Sequence, residues 1–347
     1  MAILLAILAG GLLGYVLERG DLCFHSTWRG LLRKPRQVDL VRSYLLLLLI
    51  SVPAVQLLKA LGWIDPWIPP FVWRANLAGG LVFGVGMVVA STCVTGMFYK
   101  FGHGMLGTAV AIAGWAIGDV VTYNGPLSFL RDELNADPVT VNGETATLGN
   151  ALGPFGPILL IAVGVAVAAY LYSNRASPGA RSRGKLWGWM PLGLAMAAVT
   201  SVAWLLVNVE GSDYSFGTSG VPTTVWDALS GSREAGASIW IPLALVSIVP
   251  GAFVAAKLAG TLWIRGEDTR RYLQLGSGGL LMGAGAAVAG GCNLGHSIVG
   301  VPLLSLGSIT TTIAMIVGVF GAHYAAKLMG SAEAKPDQSR QPSHQPT

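Results

Sequence analysis

The chain has 347 residues, of which 53% are hydrophobic and only 11% charged, whereas soluble domains carry about 25% charged residues. Mean hydropathy is +0.60, and several stretches of about 16 to 25 residues are nearly free of charge, the length that crosses a bilayer core. The composition excludes a soluble globular domain and defines an all-α polytopic integral membrane protein; the net charge of +5 reads as loop bias, not as a nucleic-acid signal.

About nine transmembrane helices are expected, near 2–17, 43–61, 75–91, 104–123, 153–172, 189–209, 238–263, 275–290 and 303–328. The first lacks a basic lead-in and a small-residue cleavage site, so it reads as a retained helix rather than a signal peptide. The loop after it carries Arg19, Arg29, Arg33, Lys34, Arg36 and Arg42. Loop 173–188 carries Arg175, Arg181, Arg183 and Lys185, and loop 264–272 carries Arg265, Arg270 and Arg271. Basic loops face the cytoplasm. The acidic loop 124–152, with Asp132, Glu133, Asp137 and Glu144, fits the outside, where Trp63, Trp67 and Trp73 would form an interfacial belt. These assignments agree if the amino terminus is outside and the carboxy terminus is cytoplasmic. Lys59 and Lys257 are expected to snorkel, Asp119 to sit at the outer interface, and residues 331–347, polar and rich in proline, to form a disordered cytoplasmic tail.

An offset of 199 aligns Gly80, Gly84, Gly86, Ala90, Cys93 and Gly96 with Gly279, Gly283, Gly285, Ala289, Cys292 and Gly295. The two copies would cross in opposite directions, so residues 1–175 and 176–330 are expected to be inverted half-repeats. Short, glycine-interrupted segments in matched positions of such halves point to a substrate site near the midplane, with short re-entrant helices. A third copy runs from Gly10 and Gly14 to Cys23, and a degraded fourth, Ser212–Gly217, carries Ser215 where the others have cysteine. The matched glycines demand absent side chains, either for close helix approach or to line a narrow path. Leucine at Gly84 or Gly283 should abolish function, with alanine milder.

The three cysteines form no C-x-x-C pair, which argues against a disulfide framework or a ribbon-type zinc site. Each sits among polar residues: Cys23 near His25, Cys93 between Thr92 and Gly96, Cys292 beside Asn293 and Gly295. Ser91 and Thr92 could cap a half-helix starting near Cys93, and such a helix end favours anions. The candidate substrate-binding set is therefore Cys23, Cys93, Cys292, Thr92, Gly96, Asn293, Gly295, Ser215 and His25. Three chemistries fit the thiols: neutral S–H contacts to a polarisable sulfur anion, metal ligation with His25, His103 or His296, and thiol–disulfide relay. Taken singly, the three histidines read as hydrogen-bonded polar residues. The stretch 179–186 mimics a phosphate-binding loop but ends in Leu186 and lies in a basic loop. No nucleotide signature and no nucleophile triad is present, so the chain reads as a transporter without a cofactor rather than an enzyme.

The segments Arg19–Ser26, Gly84–Gly96 and Gly283–Ser297 make the chain resemble the YeeE/YedE family of bacterial sulfur-compound transporters over about residues 1–328. The resemblance implies an hourglass-shaped inner-membrane protein that takes up thiosulfate or a related sulfur anion. Cys23, Cys93 and Cys292 would be the thiols that hand the ion along. It also implies a cytoplasmic TusA-like sulfurtransferase as partner, here a separate protein, and it leaves sulfur against selenium species open. A thiol-dependent metal-ion transporter is the main rival reading, and a membrane thiol oxidoreductase the third.

Overall fold

A computed structural model describes residues 2–175, 186–209, 212–231 and 238–330. Arg181, Arg183, Lys185, most of the phosphate-loop mimic and the expected tail lie outside the described residues. The helices are Ala2–Gly20 (α1), Phe24–Leu32 (α2), Asp39–Ala60 (α3), Trp73–Ala90 (α4), Val94–Gly102 (α5), Thr108–Tyr123 (α6), Ser128–Leu134 (α7), Leu148–Leu152 (α8), Phe155–Ser173 (α9), Trp189–Val209 (α10), Val221–Ser230 (α11), Trp240–Ala259 (α12), Thr269–Ala289 (α13) and Leu306–Leu328 (α14). A π-helical turn occupies Leu294–Gly300, and a two-stranded hairpin, Thr140–Val141 (β1) with Glu144–Thr145 (β2), sits in the acidic loop.

The protein is thus a helical, multi-pass membrane protein. Each of the nine expected segments is helical, but among the described residues seven spans are long and apolar enough to cross a membrane, or eight if α13 and the π-helical turn count as one. α6 falls short because its 16 residues rise about 24 Å at 1.5 Å per residue, against ~30 Å of hydrocarbon. Trp63, Trp67 and Trp73 are exposed, as an interfacial belt requires.

Three spans are broken in one way. α1 ends before Asp21, whose φ is 44°; α4 ends at Ser91, φ 51°; α13 ends at Gly290, φ 79°. A left-handed residue stops a helix because it turns the chain out of the hydrogen-bonding spiral. Within three residues of each stop comes a cysteine, and a new short helix follows. α1 with α2, and α4 with α5, still form continuous 30-residue spans, whereas the π-helical turn bends away from α13 by 51°.

α4 and α13 cross back to back. Gly79 lies against Gly285 and Ala289, and Gly86 against Gly278 and Met282, so the two helices run antiparallel. The other glycines of each helix meet a different neighbour. Gly80 and Gly84 face Thr311, Ala314 and Met315 of α14, while Gly279 and Gly283 face Ala111 and Trp115 of α6. A Cβ on Gly283 would collide with the Trp115 carbonyl oxygen, and one on Gly84 with that of Met315. The demand for absent side chains at these positions is therefore helix approach rather than a lined path, and the clash is with backbone, which cannot rotate away.

The structure also corrects one local expectation. Asp119 is fully buried rather than interfacial: it accepts hydrogen bonds from the Gly220 N–H and the Thr223 hydroxyl, each at 3.0 Å, and so anchors the start of α11. At the crossing glycines even a methyl would overlap a carbonyl oxygen. Gly283→Ala is expected to cost about 1–3 kcal/mol of stability through overpacking, visible as a lower melting temperature of the purified protein. Gly164→Ala on α9, where the nearest atom to a new methyl is 3.9 Å away, should melt as wild type.

Candidate permeation site

Cys23 and Cys93 are the residues immediately before α2 and α5, each in an extended conformation with φ −119° and −104°. The expected capping by Ser91 and Thr92 is replaced by capping from the thiol itself: the Gly96 N–H donates to the Cys93 sulfur at 3.3 Å. Ser91 instead takes the left-handed stop of α4. The two cysteines meet. Their sulfurs are 3.5 Å apart, and the Cys93 N–H donates to the Cys23 sulfur at 3.3 Å. Thr92 Oγ1 is 3.9 Å from the Cys23 sulfur and accepts a hydrogen bond from Lys100 Nζ at 3.1 Å.

Gly96 closes this cluster. A Cβ there would lie 2.5 Å from Thr92 Oγ1, 3.1 Å from the Cys23 sulfur and 3.3 Å from the Cys93 sulfur. Only a residue without a side chain lets the first turn of α5 approach both thiols. On the far side of the pair, the Tyr99 hydroxyl donates to Asp21 Oδ1 at 2.9 Å, tying α5 to the break after α1. Arg271 of α13 donates to the Ala90 carbonyl at 2.6 Å, placing a second cation at the end of α4, where a helix carries partial negative charge.

Cys292 belongs to a second cluster. Its sulfur accepts the Leu294 N–H at 3.2 Å, and Thr218 lies beside it. The segment Tyr214–Thr218, which overlaps the degraded motif, packs against this break. The Tyr214 hydroxyl donates to the Gly295 carbonyl at 2.6 Å, and Trp240 Nε1 donates to the Ser215 carbonyl at 2.6 Å. Gly295 has more room than Gly96: the nearest atoms to a Cβ are 3.9 Å away, in Gly217 and Tyr214. Two polar atoms of this region, Ser215 Oγ and Asn293 Oδ1, are buried without a hydrogen bond, a costly state that a bound polar group would relieve. The two clusters are joined where Asn293 Nδ2 donates to Thr95 Oγ1 at 3.2 Å, one residue from Gly96. All three cysteines are free thiols, 0% exposed.

The structure therefore brings together Cys23, Cys93, Thr92 and Gly96 in one group and Cys292, Asn293, Gly295 and the Ser215 segment in another. His25 joins neither through a hydrogen bond; its Nε2 lies 3.3 Å from His323 Nε2 of α14, with the rings stacked at 5.5 Å. His103 bonds Glu18, and His296 bonds Ser308 and the Ala289 carbonyl, each at 3.0 Å for His296. No group of three or more His, Cys, Asp or Glu side chains suited to a metal ion exists among the described residues, so the thiolate–imidazole set of the metal reading is not assembled.

Lys100, Thr95, Thr218 and the Tyr99–Asp21 pair escaped the sequence reading. Lys100 had a usable signal: it follows Gly96 by four residues, one helical turn, and so shares its face.

Apolar helices that cross the bilayer several times and break around buried thiols and hydroxyls define a multi-pass membrane protein. The chain belongs to the sulphur transport family, whose model matches residues 19–321. It is 31% identical over 324 residues to the thiosulfate transporter TsuA of Spirochaeta thermophila, covering 90% of this chain and 95% of that protein. It is 26% identical over 347 residues to the thiosulfate transporter TsuA of Escherichia coli, covering 96% and 97%. The probable transporter YedE of Salmonella typhimurium is 27% identical over 159 residues, covering 45% of this chain and 37% of that protein. The resemblance carried by the three cysteine motifs is thus a family membership.

The contrast between the two glycines gives a direct check. Gly96→Ala is expected to destabilise the protein by about 1–3 kcal/mol, because the methyl meets the Thr92 hydroxyl and both sulfurs. Gly295→Ala should fold and melt like wild type. Equal melting temperatures would mean that α5 does not press on the thiol pair.

Proposed function

We propose that this protein carries thiosulfate, or a closely related sulfur-containing anion, inward across the bacterial inner membrane. Cys23, Cys93 and Cys292 would pass the ion along through S–H contacts. The observation that carries this reading is the pair of thiol clusters joined by the Asn293–Thr95 hydrogen bond, with the unpaired buried hydroxyl of Ser215 at one end and a lysine at the other. The family membership and the names of two relatives support the same substrate.

The chemistry follows from the parts. Thiosulfate offers a soft terminal sulfur and hard oxygens. Neutral thiols match the first through weak, polarisable S–H donation; a thiolate would repel the anion. Ser215, whose hydroxyl lacks an acceptor, can donate to the oxygens. The first N–H groups of α2 and α5 point where Cys23 and Cys93 stand, adding the positive end of two helix dipoles. Lys100 supplies full charge beside the Cys23–Cys93 pair, so an ion leaving Cys292 moves toward increasing positive potential. Weak single contacts suit transport, since a tightly bound ion would not leave.

The two halves, 1–175 and 176–330, are proposed as inverted repeats. The matched glycines support it: Gly80 and Gly84 meet α14 as Gly279 and Gly283 meet α6, about the antiparallel crossing of α4 and α13. The Lys100 end carries the basic loops and is proposed as the cytoplasmic exit, where a separate TusA-like sulfurtransferase would accept the sulfur. The reaction is transport rather than covalent turnover.

Expression in a host stripped of its own uptake systems should restore growth on thiosulfate as sole sulfur source; no growth despite membrane insertion would refute the substrate. Cys→Ala at 23, 93 or 292 should each lower uptake about tenfold or more, because a lost contact to a desolvated anion exceeds the ~1 kcal/mol of an ordinary hydrogen bond. Lys100→Met should lower it too, with normal folding. Wild-type uptake by all three alanine variants would reduce the thiols to packing. Accessibility labelling should find residues 124–152 outside and 173–188 inside; both on one side would undo the inverted arrangement.

A further inference from the structure

The Cys23–Cys93 pair has a capacity that anion transfer does not use. The sulfurs are 3.5 Å apart, on two different broken spans, and a disulfide needs about 2.05 Å, a closure of about 1.5 Å. Cys292 has no such neighbour, its sulfur being held by the Leu294 N–H and flanked by Thr218. Both members of the pair are fully buried, so an oxidant in bulk solution does not reach them. One that resembles the transported anion and shares its route does.

We propose that Cys23 and Cys93 are a redox gate, converted to a reversible disulfide by a sulfur oxyanion that carries a sulfur–sulfur bond at a higher oxidation level, of which tetrathionate is the type. The proposal rests on the thiosulfate reading, because it places the oxidant in the same pathway. One thiol loses its proton and attacks an inner sulfur of tetrathionate. The central S–S bond breaks, one thiosulfate leaves, and the cysteine carries a sulfenyl-thiosulfate. The second thiol loses its proton and attacks the cysteine sulfur; the new bond joins Cys23 to Cys93, and a second thiosulfate leaves. Two electrons pass from the thiols to tetrathionate, two protons are released and two thiosulfates form. Lys100, bonded to Thr92 at 3.1 Å beside the pair, stabilises the thiolate each attack requires.

Closure follows from what the bond removes. Both S–H donors of the inner cluster disappear, and the turn after α1 is tied to the first residue before α5. Gly96 lies so close that even a Cβ would stand only 3.1 and 3.3 Å from the two sulfurs, so the first turn of α5 leaves no room for the ion on its side of the pair. The transporter would therefore shut when oxidised sulfur species enter and reopen with a cellular reductant.

The test uses the full-length protein in proteoliposomes. After tetrathionate, free thiols counted in denaturant should fall from three to one, and unreduced peptide mass spectrometry should find Cys23 joined to Cys93. Thiosulfate uptake should fall to background and return with dithiothreitol. Cys292→Ser should still form the bond; Cys93→Ser should form none. Three thiols surviving with uptake intact, a stable sulfenyl-thiosulfate on one cysteine, or a disulfide that includes Cys292 would each overturn the gate. The thiol count stands apart from the transport reading. A Cys23–Cys93 bond in a protein that never carries thiosulfate would sink the substrate assignment, and normal uptake without the bond would sink only the gate.

Discussion

The site depends on one constraint: the backbones of α4 and α13 touch. At Gly79 and Gly285 no side chain separates the two helices, and at Gly84 and Gly283 the same is true against α14 and α6. Van der Waals packing and interhelical contact, not water exclusion, hold helices together in lipid, so close approach over many turns is the main source of rigidity. That rigidity fixes where each helix stops. Because each stop is followed by a cysteine within three residues, the crossing positions Cys93 and Cys292, while Cys23 is positioned by α1, whose Gly10 and Gly14 lie against Ala244 and Ile248 of α12.

The breaks then convert packing into polarity. Backbone freed from a helix must find partners at membrane depth, and here part of that demand falls on sulfur: the Cys93 and Gly96 N–H groups donate to thiols, and Leu294 donates to Cys292. The sulfurs are thereby oriented by backbone, and those of Cys23 and Cys93 face each other at 3.5 Å. The Ser215 hydroxyl, by contrast, is buried without a hydrogen bond, a state that costs free energy.

Much of this was legible in the sequence because the signals are periodic. Nine apolar segments stood out by length, and three copies of glycine, glycine and cysteine at one spacing marked the breaks. What escaped was three-dimensional partnership. Nothing in the spacing says that Cys23 meets Cys93 rather than Cys292, because the meeting depends on how α1 and α5 pack. Lys100 stands outside the cysteine motif, and only the turn of α5 places it beside Thr92. Asp119 looked interfacial because it sits near a helix end, yet α11 folds back over it and uses its carboxylate as an anchor. The missing side chains of the glycines make room for carbonyl oxygens of the neighbouring helices, partners that the spacing alone does not name.

The central claim is that an anion moves along thiols. Counterflow of radiolabelled thiosulfate into proteoliposomes, measured with wild-type protein and with a protein whose three cysteines are all serine, tests it most directly. The account predicts rapid, sulfate-resistant exchange by the wild type and exchange at the level of empty liposomes by the folded triple variant. Exchange at the wild-type rate by that variant would contradict it.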